Sequence, residues 1–313
     1  MNARLLSLAC MLSTASAILL PGHSAQACFS SRPLVSTAWL VRNLARPDLV
    51  LVDIRSDAAY LAGHITGAIN IPFAMPTSAW TEMKGDLLME LPEQDELFAT
   101  LGAAGISRNS YVIVINDTEV EGVPPSYPRA QTARVAVTLL YAGVRDVAIL
   151  DGGMQKWSQE HRALSTEAVT PTPVRYGARV HSEMFVTKDQ VAASLGSRKR
   201  VLLDARDAEV YDGTVIEPYA PVAGHIPGAV NLPAPQIWND DGTFKSQEEL
   251  RQLATSVLGW PRGKEIIVYC GVGGYASGWW FVLTEILGYN RVRFYDGSAQ
   301  EWVAEPAGPM ETN

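Results

Sequence analysis

A cysteine stands where an apolar strand meets a loop rich in glycine. Cys270 follows the segment EIIVY, and a helix is predicted to begin near Ser277. Glycines let the backbone aim several N–H groups at one point, and such a cradle at a helix N-terminus stabilises an anion. The anion would be the thiolate or the persulfide of Cys270, and the same field is expected to lower the pKa of its thiol. The predicted anion-binding loop comprises Gly271, Val272, Gly273, Gly274, Tyr275 and Ala276.

A purely structural role is the alternative for Cys270. A cysteine at the end of a buried strand commonly packs as a small apolar side chain. A loop with three glycines that opens directly into a helix is not needed for such packing. This context favours a catalytic nucleophile.

The chain repeats one unit twice. The segment GHITGAINIP starts at Gly63, and GHIPGAVNLP starts at Gly224. The repeat predicts two homologous domains, residues 30–165 and 180–305, joined by a Pro-containing linker over residues 166–179. Further matching segments follow the same order: LVLVDIR (49–55) with RVLLDAR (200–206), YVIVIN (111–116) with EIIVYC (265–270), and DGGMQKW (151–157) with DGSAQEW (296–302).

Both copies are predicted to be α/β. Short runs rich in Val, Leu and Ile are typical of buried parallel strands. Helices are predicted over Thr132–Ala142 and Ser277–Leu287, each stopped by a glycine. Strand, helix and strand in this order indicate a doubly wound, mainly parallel sheet flanked by helices, with ligands bound beyond the carboxyl ends of the strands. The predicted strands include 112–115, 147–150, 266–269 and 292–295.

Residues 1–27 are predicted to be a cleavable signal peptide. Arg4 precedes a mostly apolar stretch that Pro21 ends, and the small-x-small sequence AQA ends at Ala27. We expect a periplasmic or secreted protein whose mature N-terminus is Cys28. Lipidation of Cys28 is the alternative, although Ala25 stands where a lipobox has Leu or Val.

Charge and composition exclude several partners. The chain of 313 residues carries a formal net charge of −8 and no run of Lys or Arg, so nucleic acid is not an expected partner. An acidic surface also disfavours anionic lipid, so membrane binding is expected only if Cys28 is lipidated. The 47% of hydrophobic residues is typical of a soluble globular protein.

Taken together, these motifs resemble the tandem-domain rhodanese family of sulfurtransferases over nearly all of the predicted mature chain. The resemblance implies a silent first domain, in which Asn116 stands at the position of Cys270. It also implies that Cys270 takes a sulfane sulfur from thiosulfate, 3-mercaptopyruvate or a similar donor and passes the sulfur to cyanide or a thiol. No metal or organic cofactor is implied. The loop is more similar to exported bacterial relatives than to the vertebrate enzymes.

The chain departs from that family at the residues expected to recognise an anionic donor. Members that use thiosulfate or mercaptopyruvate usually have an arginine before an aromatic residue, where this chain has Val210 before Tyr211. Mercaptopyruvate enzymes often have another arginine after a Glu-Pro pair, where Tyr219 follows Glu217 and Pro218. The anion-binding loop contains no cation either. We therefore expect a pocket that is more aromatic than cationic, with Tyr219 as part of it.

Residues that recur in both copies are expected to serve the fold. His64 and His225 lie in the repeated GHIxGAxN segment, which the silent copy also contains. Charge-assisted pairs are expected within each Asp-x-Arg strand end. Of these, Asp204 and Arg206 are candidates for the border of the active cleft. The acidic segment 117–121 is expected to be a solvated loop and not a metal site.

Two other functions use the same loop differently. A related phosphatase needs an arginine six residues after its cysteine, and position 276 is Ala. Phosphoryl transfer is therefore disfavoured. A sulfur relay, in which Cys270 accepts sulfur from one protein and delivers it to a thiol on another, stays open because the anion-recognising arginines are absent.

Overall fold

The protein is described by a computed structural model that covers residues 32–259 and 263–312. The predicted signal peptide, its cleavage site after Ala27 and Cys28 lie outside these residues. Within the described ranges, no helix is both long enough and apolar enough to cross a membrane.

The first copy forms a five-stranded sheet and a separate hairpin. Its strands are β1 (Leu34–Val35), β2 (Leu49–Asp53), β3 (Ile69–Asn70), β4 (Glu82–Lys84), β5 (Leu87–Glu90), β6 (Tyr111–Ile115) and β7 (Asp146–Leu150). Its helices are α1 (Thr37–Asn43), α2 (Asp57–Ala62), α3 (Gln94–Ala103), α4 (Ser126–Tyr141) and α5 (Gly153–Gln159). The sheet order is β1-β7-β6-β2-β3 with all neighbours parallel, whereas β4 and β5 pair antiparallel.

The second copy repeats this sheet. Its strands are β8 (Phe185–Val186), β9 (Arg200–Asp204), β10 (Val230–Asn231), β11 (Glu265–Tyr269) and β12 (Val292–Tyr295). Its helices are α6 (Lys188–Ala192), α7 (Ala208–Tyr211), α8 (Gln247–Leu258), α9 (Gly274–Phe281) and α10 (Ser298–Val303), with 3-10 turns at Ser182–Met184 and Ala234–Ile237. The order β8-β12-β11-β9-β10 is again fully parallel and matches the first sheet strand for strand.

The strand predictions are confirmed, but both predicted helices begin too late. The helix expected from Thr132 begins at Ser126, directly after Pro125, whose fixed φ suits a helix start. The helix expected from Ser277 begins at Gly274, because Gly273 turns the chain with a left-handed φ of 87°. It then passes into a π-helical turn over Val282–Ile286.

The two copies share one apolar core. Helix α4 of the first copy packs against α9 of the second, and one cluster of buried side chains extends through both. The segment 166–179 contains no helix or strand and lies against the first copy, where the Tyr176 hydroxyl donates to the Ala142 carbonyl at 2.8 Å. The carboxyl end of β11, where Cys270 follows, is therefore packed from both copies.

Candidate active site

The start of α10 holds the Cys270 loop in place. The Cys270 N–H donates to Ser298 Oγ at 3.2 Å, and the Cys270 carbonyl accepts from the Ala299 N–H at 2.9 Å. The next carbonyl, that of Gly271, accepts from the Gln300 N–H at 3.0 Å. The closing Asp-Gly…Trp motif thus anchors the first two residues of the loop.

Backbone N–H groups surround the sulfur, as the glycine pattern predicts. The Gly273 N–H donates to Cys270 Sγ at 3.1 Å, and the N–H groups of Ala276 and Val272 also act to lower the pKa of the thiol. The Ser277 hydroxyl donates to the Gly273 carbonyl at 2.8 Å and fixes the turn. The loop is therefore a cradle of neutral donors around one sulfur atom.

The predicted lowering of the Cys270 pKa is wrong. Burial raises the pKa of this thiol, the N–H groups of the loop lower it, and the negative charge of Glu217 raises it again. The side chain is only 2% exposed, so the loss of hydration outweighs the neutral donors. None of these main causes is a cation.

Cys270 lines a cavity of about 340 Å³ between the two copies. The loop forms one wall through Gly271, Val272, Gly274 and Tyr275. Side chains of the first copy, including Tyr127, form a second wall. This volume is suited to a small molecule.

Of the residues expected at the border of the cleft, Arg206 and Tyr219 line the cavity and Asp204 does not. Arg206 lines the cavity, but its Nε and Nη2 donate to the Asp204 carboxylate at 2.6–3.1 Å. Its Nη1 donates to Glu217 at 3.1 Å. Asp204 is fully buried behind Arg206, whereas Tyr219 lines the cavity and is 45% exposed. The Arg206 guanidinium in the cavity wall is thus held by two carboxylates.

Sequence reasoning missed Glu217 as a site residue. Its Oε2 lies 2.5 Å from where a methyl group on Gly271 would be, so the carboxylate packs against the loop. Glu217 belongs to a stretch that the first copy lacks, since twelve residues separate Tyr211 from Gly224 and only two separate Tyr60 from Gly63. An alignment of the two copies would have indicated this insertion.

The recurring residues serve the fold in both copies. His64 stacks on Tyr60 and His225 stacks on Tyr211, with ring centroids 3.8 Å apart in each pair. Each His Nδ1 also contacts the carbonyl of the same tyrosine, at 2.9 and 2.8 Å. Neither histidine lines the cavity.

The acidic segment after β6 is mostly exposed, and Glu119 forms an ion pair with Arg129. Asp117 lies 3.9 Å from the guanidinium of Arg55. No group of three or more potential metal-ligating side chains occurs in the part of the chain that the structure covers.

Comparison with known proteins identifies the family. The model of the rhodanese-like domain matches residues 36–160 and 187–305. A protein of Mycolicibacterium smegmatis named "Putative thiosulfate sulfurtransferase" is 33% identical over 286 residues, which are 89% of this chain and 97% of that protein. The sulfur carrier protein TtuD of Thermus thermophilus is 34% identical over 280 residues, 86% of this chain and 93% of TtuD.

Solved structures show the same architecture. The anaerobic ergothioneine biosynthesis enzyme of Chlorobium limicola, in complex with its natural substrate trimethyl histidine, aligns with a TM-score of 0.75 and 28% identity. The alignment covers 90% of this chain and 70% of that enzyme. A further structure of the enzyme EanB, with 27% identity and the same TM-score and coverage, contains a cysteine persulfide.

Proposed function

The chain belongs to the rhodanese-like family and is a sulfurtransferase, and we propose that it carries the sulfur as a persulfide on Cys270. The observation that supports this most directly is the set of loop N–H groups around a buried sulfur, with Gly273 at 3.1 Å. In the first step, the Cys270 thiolate attacks the outer sulfur of a donor such as thiosulfate, and sulfite leaves with the electron pair of the broken S–S bond. In the second, a thiolate or cyanide takes the outer sulfur and restores the Cys270 thiolate.

Residues 271–276 are the proposed persulfide-binding loop. Neutral N–H donors in a dry site stabilise a localised anion. In enzymes that use such donors, the loss of one raises the activation free energy by about 3–4 kcal/mol. Asp204 and Arg206 are positioning residues in this proposal, because Arg206 orients Glu217 against Gly271. Tyr219 contributes to the wall that encloses the substrate.

An intact-mass measurement tests the persulfide. Protein incubated with inorganic polysulfide or thiosulfate is expected to gain one sulfur atom that a reductant removes, and Cys270→Ser is expected to gain none. Cys28→Ser is the matched control and should still gain the sulfur. A sulfur adduct that survives in Cys270→Ser would contradict the proposal.

A sulfur relay between proteins is the second candidate function. The name of the Thermus relative supports it. So does the pairing of Arg206 with two carboxylates, which leaves no free cation among the described wall residues and disfavours a free dianionic donor. Turnover with small donors and cyanide separates the two functions, because a relay needs a thiol-carrying protein to unload Cys270. Fast steady-state turnover with small molecules alone would exclude a relay as the main function.

We also propose that the protein is exported. The support is the arrangement of Arg4, the apolar stretch and the AQA sequence before Cys28. N-terminal sequencing of protein from the periplasm or medium is expected to begin at Cys28. Mature protein that retains Met1 in the cytoplasm would contradict export, and a lipid-modified Cys28 would indicate an anchored form.

A further inference from the structure

The charges around the catalytic cavity are mostly negative. Asp207, Glu209 and Glu217 line it, and Arg206 is the one cationic side chain among the described residues of its wall. Arg206 forms ion pairs with Asp204 and Glu217. Asp207 and Glu209 therefore have no counter-ion among the described wall residues. A small molecule beside Cys270 therefore shares the cavity with two carboxylates that no cation of the described wall residues balances.

These two carboxylates are specific to the active copy. The matching positions in the silent copy are Ser56 and Ala58, which carry no charge. Ser56 caps α2 by accepting from the Ala59 N–H, whereas Asp207 stands at the same position before α7 and makes no capping hydrogen bond. An aspartate at a helix start usually accepts a hydrogen bond from a backbone N–H of the first turn. Asp207 does not, so its carboxylate is free to interact with a molecule in the cavity.

Aromatic rings complete the same wall. Tyr127 and Tyr275 meet edge to face with centroids 5.6 Å apart, and the Tyr275 hydroxyl is hydrogen-bonded to Ser126 Oγ at 2.7 Å. Tyr219 is the third ring. Tyrosine faces attract organic cations, and carboxylates beside them add to this attraction.

Resting on the proposed function, we propose that the cavity selects a small sulfur acceptor that carries a positive charge next to its thiol, such as an ammonium or quaternary ammonium thiol. The cationic group lies among the tyrosine rings and near Asp207 and Glu209, and the thiol reaches the persulfide. The negative wall repels anionic thiols by the same interaction.

The transfer step balances without a further reactant. The acceptor thiolate attacks the outer sulfur of the Cys270 persulfide and forms a new S–S bond. The bond between that sulfur and Cys270 Sγ breaks, and its electron pair stays on Sγ. The products are the acceptor persulfide and the Cys270 thiolate, so one negative charge enters the site with the acceptor and one leaves with the product.

The test uses the full-length mature protein, loaded with sulfur from inorganic polysulfide and freed of excess polysulfide. Loaded protein is mixed with thiocholine, 2-mercaptoethanol or 3-mercaptopropionate, and loss of the added sulfur is followed by intact mass. Each rate constant is divided by that of the same thiol with a neutral small-molecule disulfide, which removes differences in thiolate fraction and nucleophilicity. The normalised rate constant for thiocholine is expected to exceed that for 3-mercaptopropionate by on the order of tenfold. A difference of this size is the effect of one or two partly exposed charge pairs.

A charge-neutral variant of the wall sharpens the test. In the double variant Asp207→Asn, Glu209→Gln, the normalised preference for thiocholine is expected to fall severalfold, while full loading by polysulfide shows that the site is intact. The matched control, Asp95→Asn with Glu96→Gln, removes two adjacent exposed charges from α3 of the other copy and should keep the preference. Equal normalised rates for the three thiols, or an unchanged preference in the wall variant, would overturn the inference. Failure of Cys270 to take up sulfur would instead overturn the proposed function.

Discussion

The ends of β6 and β11 are the same place in two copies of one sheet, yet only one is open. Asn116 follows β6, and its side-chain amide donates to the Pro128 carbonyl at 2.9 Å. The space beside it is about 10 Å³ and is bordered by Trp238 and Phe244 of the second copy. The space beside Cys270 is about 340 Å³.

The difference lies in what covers each strand end. The Phe244 N–H donates to Asp151 at 2.8 Å, so the second copy seals the Asp-Gly motif of the first. The Asp-Gly motif of the second copy is contacted by the residue that follows the β4–β5 hairpin of the first copy, since the Leu91 N–H donates to Asp296 at 2.9 Å. This contact leaves the cavity beside Cys270 open. The Asp-x-Arg pairs are alike, with the shortest contact at 2.6 Å in both copies. The geometry that the copies share therefore supports the fold, and the segments that cover the strand ends set the different volumes beside Asn116 and Cys270.

The largest expected effect is loss of the nucleophile. Cys270→Ser is expected to abolish sulfur transfer from thiosulfate to cyanide without altering the thermal unfolding midpoint. Moving the thiol, in the double variant Asn116→Cys, Cys270→Ser, is not expected to restore activity, because Trp238 and Phe244 close the first site. Restored turnover would show that the cover does not distinguish the two copies.

The next effect concerns the glycine that turns the loop. Gly273→Ala strains a left-handed residue whose added methyl would lie 3.2 Å from Arg134, and it displaces the N–H that contacts the sulfur. We expect sulfur transfer to fall by about 10²–10³, as when one anion-stabilising donor is removed.

Gly122→Ala is the control for Gly273→Ala in the silent copy. Gly122 has a similar φ of 75° with open space around it, so its replacement should cost about 1–2 kcal/mol of stability and leave turnover unchanged. Equal losses of turnover in the two variants would argue against the N–H cradle.

A new cation in the cavity is expected to have a smaller effect. Val210 lines the cavity, and Val210→Arg should lower the KM for thiosulfate by about fivefold, equivalent to ~1 kcal/mol of attraction. Ala59→Arg changes the matching position of the silent copy and should leave this KM unchanged. Tight thiosulfate binding by the unchanged protein, with no response to Val210→Arg, would mean that the paired Arg206 binds the donor despite Glu217.

The smallest expected effect is a shift in pH dependence. Burial and then the charge of Glu217 raise the pKa of Cys270, so the rate of sulfur uptake should increase with pH until the thiol is ionised. Glu217→Gln removes the charge and should move this rise to lower pH by less than about one unit. Asp117→Asn, near Arg55 of the silent copy, should leave the profile in place. A shift to higher pH in Glu217→Gln would contradict the role assigned to Glu217.

The sequence alone determined the strands, the repeat and the glycine-rich loop that follows Cys270. Runs such as YVIVI and EIIVY are buried on both faces of a parallel sheet, so their composition specifies them locally. The glycines after Cys270 likewise specify a turn whose N–H groups meet at the sulfur, because left-handed backbone is a local property. The Asp-x-Arg pairs were predictable for the same reason, since their partners are two residues apart.

Tertiary structure decided the rest, because solvation and charge depend on groups that are distant in the chain. The pKa of Cys270 is raised by burial that both copies supply, and the glycine pattern could not indicate its extent. Arg134 of α4 is fully buried beside the loop and pairs with Asp296, 162 residues away. Glu217 meets Gly271 only because an insertion folds back over the end of β11. A sequence pattern specifies which atoms can react, whereas packing between distant segments sets the charge and the space in which they do so.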